Sequence, residues 1–199
     1  MSDHLISPHG GDLVDLFTSE KDQDELKSAS RDWPSHDLTA RQQCDLELLI
    51  CGGFSPLTGF LGQKDYESVC SEMRLGDGTL WPVPITLDIP ESLATTLKPG
   101  SNLALRDEEG VMIAVLAVED VWCPDRMAEA AAVFGTTNEE HPGVAHLLSR
   151  TESHYVGGRV TALQPITHYD YKQLRHTPAE LRNCLLYTSP SPRDGLLAR

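Results

Sequence analysis

Val111-Met112-Ile113-Ala114-Val115-Leu116-Ala117-Val118-Glu119-Asp120-Val121 decides how this chain folds. Both alternate sets of positions are apolar, so a strand built from it needs cover on both faces. It therefore reads as the central strand of a sheet. Before it, Asn102–Arg106 reads as a strand, and Asp107-Glu108-Glu109-Gly110 as the hairpin loop that joins the two. Further upstream Val83, Ile85, Leu87 and Ile89 alternate with small or polar partners, the pattern of a half-buried strand. Pro84 within that run marks an edge or a bulge. Tyr155-Val156-Gly157-Gly158-Arg159-Val160 reads as strand, tight Gly-Gly bend, strand. Short strands divided by Gly-rich turns predict a small antiparallel barrel or sandwich.

Helices fall on either side of this β region. Asp37-Leu38-Thr39 opens one over Ala40–Ile50, with Cys44, Leu48 and Cys51 as its apolar stripe and Leu49 and Ile50 widening it. Gly52-Gly53 supplies a left-handed stop, with Gly53 read as the left-handed residue. A compact apolar loop follows, Phe54-Ser55-Pro56-Leu57-Thr58-Gly59-Phe60-Leu61. A second helix spans Lys64 to Met73, with Tyr66, Val69, Cys70 and Met73 on one face. Asp125 to Phe134 and Pro142 to Leu148 are helical again.

The acidic residues number 30 against 16 basic ones, a formal net charge of −14. Such a surface repels phosphate backbones and anionic lipid, which argues against nucleic-acid and membrane partners. No apolar run reaches the ~18 residues of a membrane helix. The start, Met1-Ser2-Asp3-His4-Leu5-Ile6, lacks the basic region and long apolar core of a signal peptide. The five cysteines (Cys44, Cys51, Cys70, Cys123, Cys184) show no paired spacing. They read as reduced thiols packed in a core, in a cytoplasmic chain.

Chemistry-bearing motifs are sparse. The chain has no Walker-type phosphate loop, no Gly-x-Gly-x-x-Gly, no His-Glu-x-x-His and no Cys-x-x-Cys. His4 and His9, like His141 and His146, are five apart, which puts neither pair on one helical face; these read as solvated or hydrogen-bonded histidines. Pro8-His9-Gly10-Gly11 suggests a backbone pressed close to a neighbouring element, a subunit or a ligand. The acidic stretches Asp22-Gln23-Asp24-Glu25 and Asp107-Glu108-Glu109 read as solvated faces. No catalytic, cofactor-binding or metal-ligating residue is assigned.

A connector from Gln164 to His176 leads to Thr177-Pro178-Ala179-Glu180, a capping box with proline at the first helical position. Pro190 and Pro192 then forbid a long helix, so the helix is expected to end by Leu186. Residues 183–199 read as an artefactual tail, expected to be disordered or wrongly packed.

Several separate blocks carry a resemblance. They are Pro8-His9-Gly10-Gly11, Gly52-Gly53-Phe54-Ser55-Pro56-Leu57-Thr58-Gly59-Phe60, Gly78-Thr79-Leu80-Trp81 with Pro84-Ile85-Thr86-Leu87-Asp88, His141-Pro142-Gly143, Tyr155-Val156-Gly157-Gly158, and Thr177-Pro178-Ala179-Glu180-Leu181-Arg182. From about Leu5 to Arg182 the chain resembles the N-terminal part of the ATP sulfurylases, in the form without an N-terminal kinase. The resemblance implies an α+β fold: a PUA-like antiparallel β-barrel decorated with helices, then the severed start of an α/β nucleotidyltransferase domain. It divides the chain into a PUA-like domain (1–168), a connector and first catalytic-domain helix start (169–182) and the non-family tail (183–199).

The activity implied is that of a sulfate adenylyltransferase, which joins ATP, with Mg, and sulfate into adenylyl sulfate and pyrophosphate. The family grips sulfate and the ATP phosphates with a Gln-x-Arg-Asn strand end and a His-x-x-His pair, and neither occurs here. The fragment is therefore expected to hold no cofactor and to be inactive alone, its substrates being met through the missing catalytic domain. The resemblance also implies homo-oligomers. Two other readings compete, a stand-alone PUA-like RNA-binding module and an assembly module. RNA binding calls for a basic patch with stacking aromatics, and the acidic excess argues against it.

Overall fold

The computed structural model describes residues 6–187. Six strands make one sheet: β1 (Ser35–Asp37), β2 (Gly59–Phe60), β3 (Leu87–Ile89), β4 (Asn102–Arg106), β5 (Met112–Trp122) and β6 (His154–Ala162). Seven helices accompany them among the described residues: α1 (Glu20–Ala29), α2 (Ala40–Ile50), α3 (Gln63–Glu72), α4 (Glu91–Ala94), α5 (Arg126–Phe134), α6 (Pro142–Ser149) and α7 (Pro178–Tyr187). The strand order is β1-β4-β5-β6-β2, with β3 also pairing with β6.

The long apolar run is the middle of this sheet, as its pattern requires. β5 pairs antiparallel with β4 on one side and with β6 on the other. Its two faces enter two different cores. Ile113, Leu116 and Val118 join the main core with Leu46, Leu49 and Ile50 of α2. Met112 and Val115 meet Leu163 beneath Leu26 of α1 and Trp33. The β4–β5 hairpin closes on Asp107, whose Oδ1 accepts from the amides of Glu109 at 3.0 Å and Val111 at 2.7 Å.

The α+β class is as expected, but the sheet is open and mixed rather than a closed antiparallel ring. β1 runs parallel to β4, and the outer strands β1, β2 and β3 are two or three residues long. Strands this short lack the ladder needed to zip the two ends together. The alternating run from Val83 also shortens. Only Leu87–Ile89 is strand, Val83 is exposed, and Pro84 offers no amide to a ladder. Ile85 is still held, its carbonyl accepting from the Leu61 amide at 3.0 Å. No bend interrupts Tyr155–Val160. β6 runs straight through Gly157-Gly158, pairing there with both β5 and β2.

α2 has the bounds its sequence predicts, closed at the front by a capping box between Thr39 and Gln42. Its buried face differs. Gln42, Leu46, Leu49 and Ile50 point inward, while Cys44 and Leu48 are exposed and Cys51 is half-buried. The cysteines are therefore not the core stripe. A buried glutamine heads that stripe, and polarity alone assigns it to the wrong side. α7 is helical through Tyr187, the last described residue and one past the limit set by the following prolines. The remainder of the predicted disordered tail lies outside the described residues.

The stop after α2 is glycine for two reasons, both at Gly52 rather than at Gly53. Gly52 has φ +82°, in the left-handed region. A Cβ there would also run into the Val14 carbonyl. Gly53 has no positive φ, and a Cβ on it would meet chiefly the flexible Leu48 Cδ2 at 2.9 Å. Gly52→Ala should cost at least about 1–2 kcal/mol from the backbone term alone. Gly53→Ala, at an exposed turn position, should stay within about 0.5 kcal/mol. Urea unfolding of the two variants side by side checks the assignment; equal losses would refute it.

Candidate functional site

α3 and α5 pack beside the end of β5 and leave a cleft of about 350 Å³, walled by Tyr66, Cys70, Trp122, Asp125 and Glu129. Its floor is an aromatic triad around one carboxylate. Tyr66, Trp122 and Tyr155 have ring centroids 5.6–5.8 Å apart, with Tyr155 edge-on to the other two. The hydroxyls of Tyr66 and Tyr155 each donate to Glu129 Oε2 at 3.0 Å. Tyr66 comes from α3, Glu129 from α5 and Tyr155 from β6, so this one carboxylate joins three elements.

The electrostatics follow from burial. Glu129 is 8% exposed, and burial pushes its pKa above the ordinary carboxylate value, against the lowering effect of the two tyrosine hydroxyls. Both tyrosines are pushed well up, by burial first and then by the Glu129 charge, so they remain protonated donors. The Cys70 thiol is raised to about 11 by the same two causes. It is therefore a thiol and not a nucleophilic thiolate at neutral pH.

The other carboxylates of the cleft are engaged locally. Asp125 Oδ1 caps α5, accepting from Met127 N at 3.1 Å and Ala128 N at 3.0 Å. Glu67 accepts from the Gln63 side chain at 2.8 Å. Three carboxylates and no lysine or arginine line the space, so it repels sulfate and polyphosphate. The Trp122 indole N–H has no hydrogen-bond partner among the described residues and is fully enclosed, so it does not face the cleft.

A second polar cluster adjoins the first, with Asp88 standing opposite Tyr155 in the β3–β6 ladder. Asp88, on β3 and 5% exposed, accepts at Oδ1 from Gln42 Nε2 at 2.8 Å and from Arg41 Nη2 at 3.0 Å. Its Oδ2 accepts from the Glu152 amide at 2.9 Å. Gln42 Nε2 also donates to the Asp88 carbonyl at 2.8 Å, while Gln42 Oε1 accepts from the Thr39 amide at 2.9 Å. Both oxygens of this buried carboxylate meet donors, and the ensemble clamps α2, β3 and the residues leading into β6 together.

The residues singled out in the sequence take structural places. His9 Nε2 donates to the Leu80 carbonyl at 2.8 Å, and its ring lies 6.0 Å from that of Trp81. Gly10 faces Pro56 so closely that a Cβ would sit 2.5 Å from its ring. What Pro8-His9-Gly10-Gly11 presses against is thus the 54–56 loop and Leu80-Trp81. His141 caps α6, its Nδ1 accepting from the Gly143 amide at 3.2 Å, and stacks 5.1 Å from Phe134. His146 lies in the last turn of α6, and His4 lies outside the described residues. No group of three or more metal-type ligands occurs among the described residues.

Neither carboxylate cluster was read from the sequence. Its partners are 26 to 64 residues apart. The local clue was weak: one glutamate on the inner side of the alanine-rich Arg126–Phe134 helix, and one aspartate inside an apolar strand.

Comparison with known proteins places this architecture. The model of the PUA-like domain family matches residues 6–165. A sulfate adenylyltransferase of Neosartorya fischeri is 48% identical over 179 residues, covering 88% of this chain and 31% of that protein. One from Saccharomyces cerevisiae is 47% identical over 181 residues, covering 89% of this chain and 35% of that protein. Among solved structures, "Hexameric APS kinase from Thiobacillus denitrificans" superposes with a TM-score of 0.72 at 36% identity, covering 92% of this chain and 31% of the other. The chain thus spans about a third of the length of the relatives it matches.

Two outcomes test the tyrosine–glutamate cage. Tyr155→Phe leaves Glu129 one donor short and should cost about 1–3 kcal/mol. Because burial raises the Glu129 pKa, the folded chain holds that proton more tightly than the unfolded one. The stability this gives is full below the ordinary carboxylate range and is lost as pH rises through the raised value. Glu129→Gln should therefore gain on the parent chain as pH climbs from about 4. Thermal unfolding of both across that range reads the gap; a gap independent of pH would refute the assignment.

Proposed function

The chain belongs to the PUA-like domain family, and from that premise we propose that it is the N-terminal, non-catalytic unit of a sulfate adenylyltransferase. One observation carries this: nearly half of the residues are identical to curated sulfate adenylyltransferases along almost the whole described chain, yet only a third of each relative is covered. The whole protein would join ATP, with Mg, and sulfate into adenylyl sulfate and pyrophosphate. That reaction gathers negative charge at the α-phosphate and the leaving pyrophosphate, and it needs cationic or amide donors aimed there. The cleft between α3 and α5 offers carboxylates instead. The chemistry is therefore assigned to the part of the protein that continues beyond this unit, and residues 1–168 to support and assembly.

The remaining readings follow from the same premise. A homo-oligomer is proposed because the superposed solved structure is titled a hexamer. A cytoplasmic site fits five cysteines that are all unpaired. No helix among the described residues is long and apolar enough to cross a membrane. RNA binding is disfavoured by the formal charge of −14.

The purified chain, given ATP, Mg and sulfate or molybdate, should release no pyrophosphate above the blank in a coupled assay. The same chain joined to the continuation found in its relatives should release it. Turnover by the isolated chain at the rate of an intact relative would overturn the assignment.

A further inference from the structure

We infer that His168 and Tyr169 form a two-point latch that straps the connector to the PUA-like unit and so fixes the direction in which the chain leaves it. After β6 the chain is first held by the Ile113 carbonyl, which accepts from Leu163 N at 2.8 Å and Gln164 N at 3.4 Å. Ile166 packs on the main core. The next two side-chain contacts go to elements far apart in sequence. His168 Nε2 meets Glu47 Oε1 of α2 at 2.6 Å, a close pair whose side chains are only 25% and 33% exposed. Tyr169 donates its hydroxyl to Glu109 of the β4–β5 hairpin, at 3.2 Å to Oε1 and 3.4 Å to Oε2. Adjacent residues thus bind the connector to a helix on one side and a hairpin on the other.

Beyond the latch the connector bonds to itself. Leu174 N donates to the Tyr171 carbonyl at 2.8 Å, and Arg175 Nη2 meets Asp170 Oδ1 at 3.1 Å. Tyr171 has φ +47°, a left-handed conformation that a tyrosine rarely adopts and that neighbouring contacts must hold. The capping box of Thr177 and Glu180 then starts α7, and Arg182 Nη2 donates to the Ile6 carbonyl at 2.7 Å. The two latch residues therefore stand between the folded unit and everything α7 begins. The inference is independent of the proposed activity, because it concerns where the chain goes and not what it catalyses.

Lys172 and Arg175 lie just past the latch and are exposed, so trypsin reads the opening directly. In the full 199-residue chain, His168→Ala should speed cleavage at Lys172 and Arg175 by about tenfold, the scale of one charge-assisted hydrogen bond. Glu47→Gln should do nearly as much, and the double variant no more than His168→Ala, because both remove one interaction. Tyr169→Phe, at a more exposed contact, should give about twofold. The melting temperature should hold in the His168 and Tyr169 variants, whose partners Glu47 and Glu109 lie outside the core. Cleavage at the parent rate in His168→Ala, or fully multiplicative effects in the double variant, would overturn the latch.

Discussion

Three strands meet on one strand here, and where β2 crosses they meet at residues without side chains. β6 pairs with β5 along one edge and with β2 and β3 along the other. At the crossing stand Gly59, Gly157 and Gly158. A Cβ on Gly59 would strike the Gly158 carbonyl, one on Gly158 the Ala117 carbonyl, and one on Gly157 the Leu61 carbonyl, with Gly62 Cα only 2.6 Å away. Each obstacle is backbone, which cannot rotate aside as a flexible side chain would. Opposite this crossing β5 takes an irregularity between Val118 and Asp120, which absorbs the extra residue where the strands are forced together.

With the sheet fixed that way, two buried carboxylates hold the helices against it. An unpaired buried charge costs several kcal/mol, so each must be met by donors or be lost. Asp88 meets an arginine, a glutamine and a backbone amide; Glu129 meets two phenols. The donor sets differ in consequence. Arg41 supplies a full counter-charge, whereas phenols supply hydrogen bonds without charge, and burial prevails at Glu129. Both clusters serve cohesion, which accords with the proposal that anion chemistry belongs to the continuation of the chain.

The sequence revealed elements better than it revealed contacts. The bounds of α2 and β4 were legible because a capping residue, a glycine stop or a hairpin aspartate punctuates each within a few positions. The central place of β5 was legible because cover on both faces leaves no polar alternation. What failed was anything set by a partner elsewhere. The inner face of α2 turns on Gln42, whose reason to be buried is Asp88, 46 residues on. The glycine that stops α2 was displaced by one position, since a pair of glycines does not say which one carries the left-handed angle. Gly157-Gly158 looked like a bend because the neighbours that crowd it come from residues 61, 62 and 117. The tyrosine–glutamate cage was invisible for the same reason.

The outer strands have a bearing on how copies of this unit meet. A sheet edge is dangerous when it offers a long, flat row of unpaired amides and carbonyls to another chain. Here one end of the sheet is β1, three residues directly after Pro34, and the other edge is divided between two-residue β2 and three-residue β3, the latter followed by Pro90. Among the described residues, none of these three outer strands offers a template longer than about one repeat of the ladder. These outer strands therefore give little purchase to strand addition or to amyloid-like stacking. The proposed association of copies would then rest on side-chain surfaces, where shape and charge select the partner.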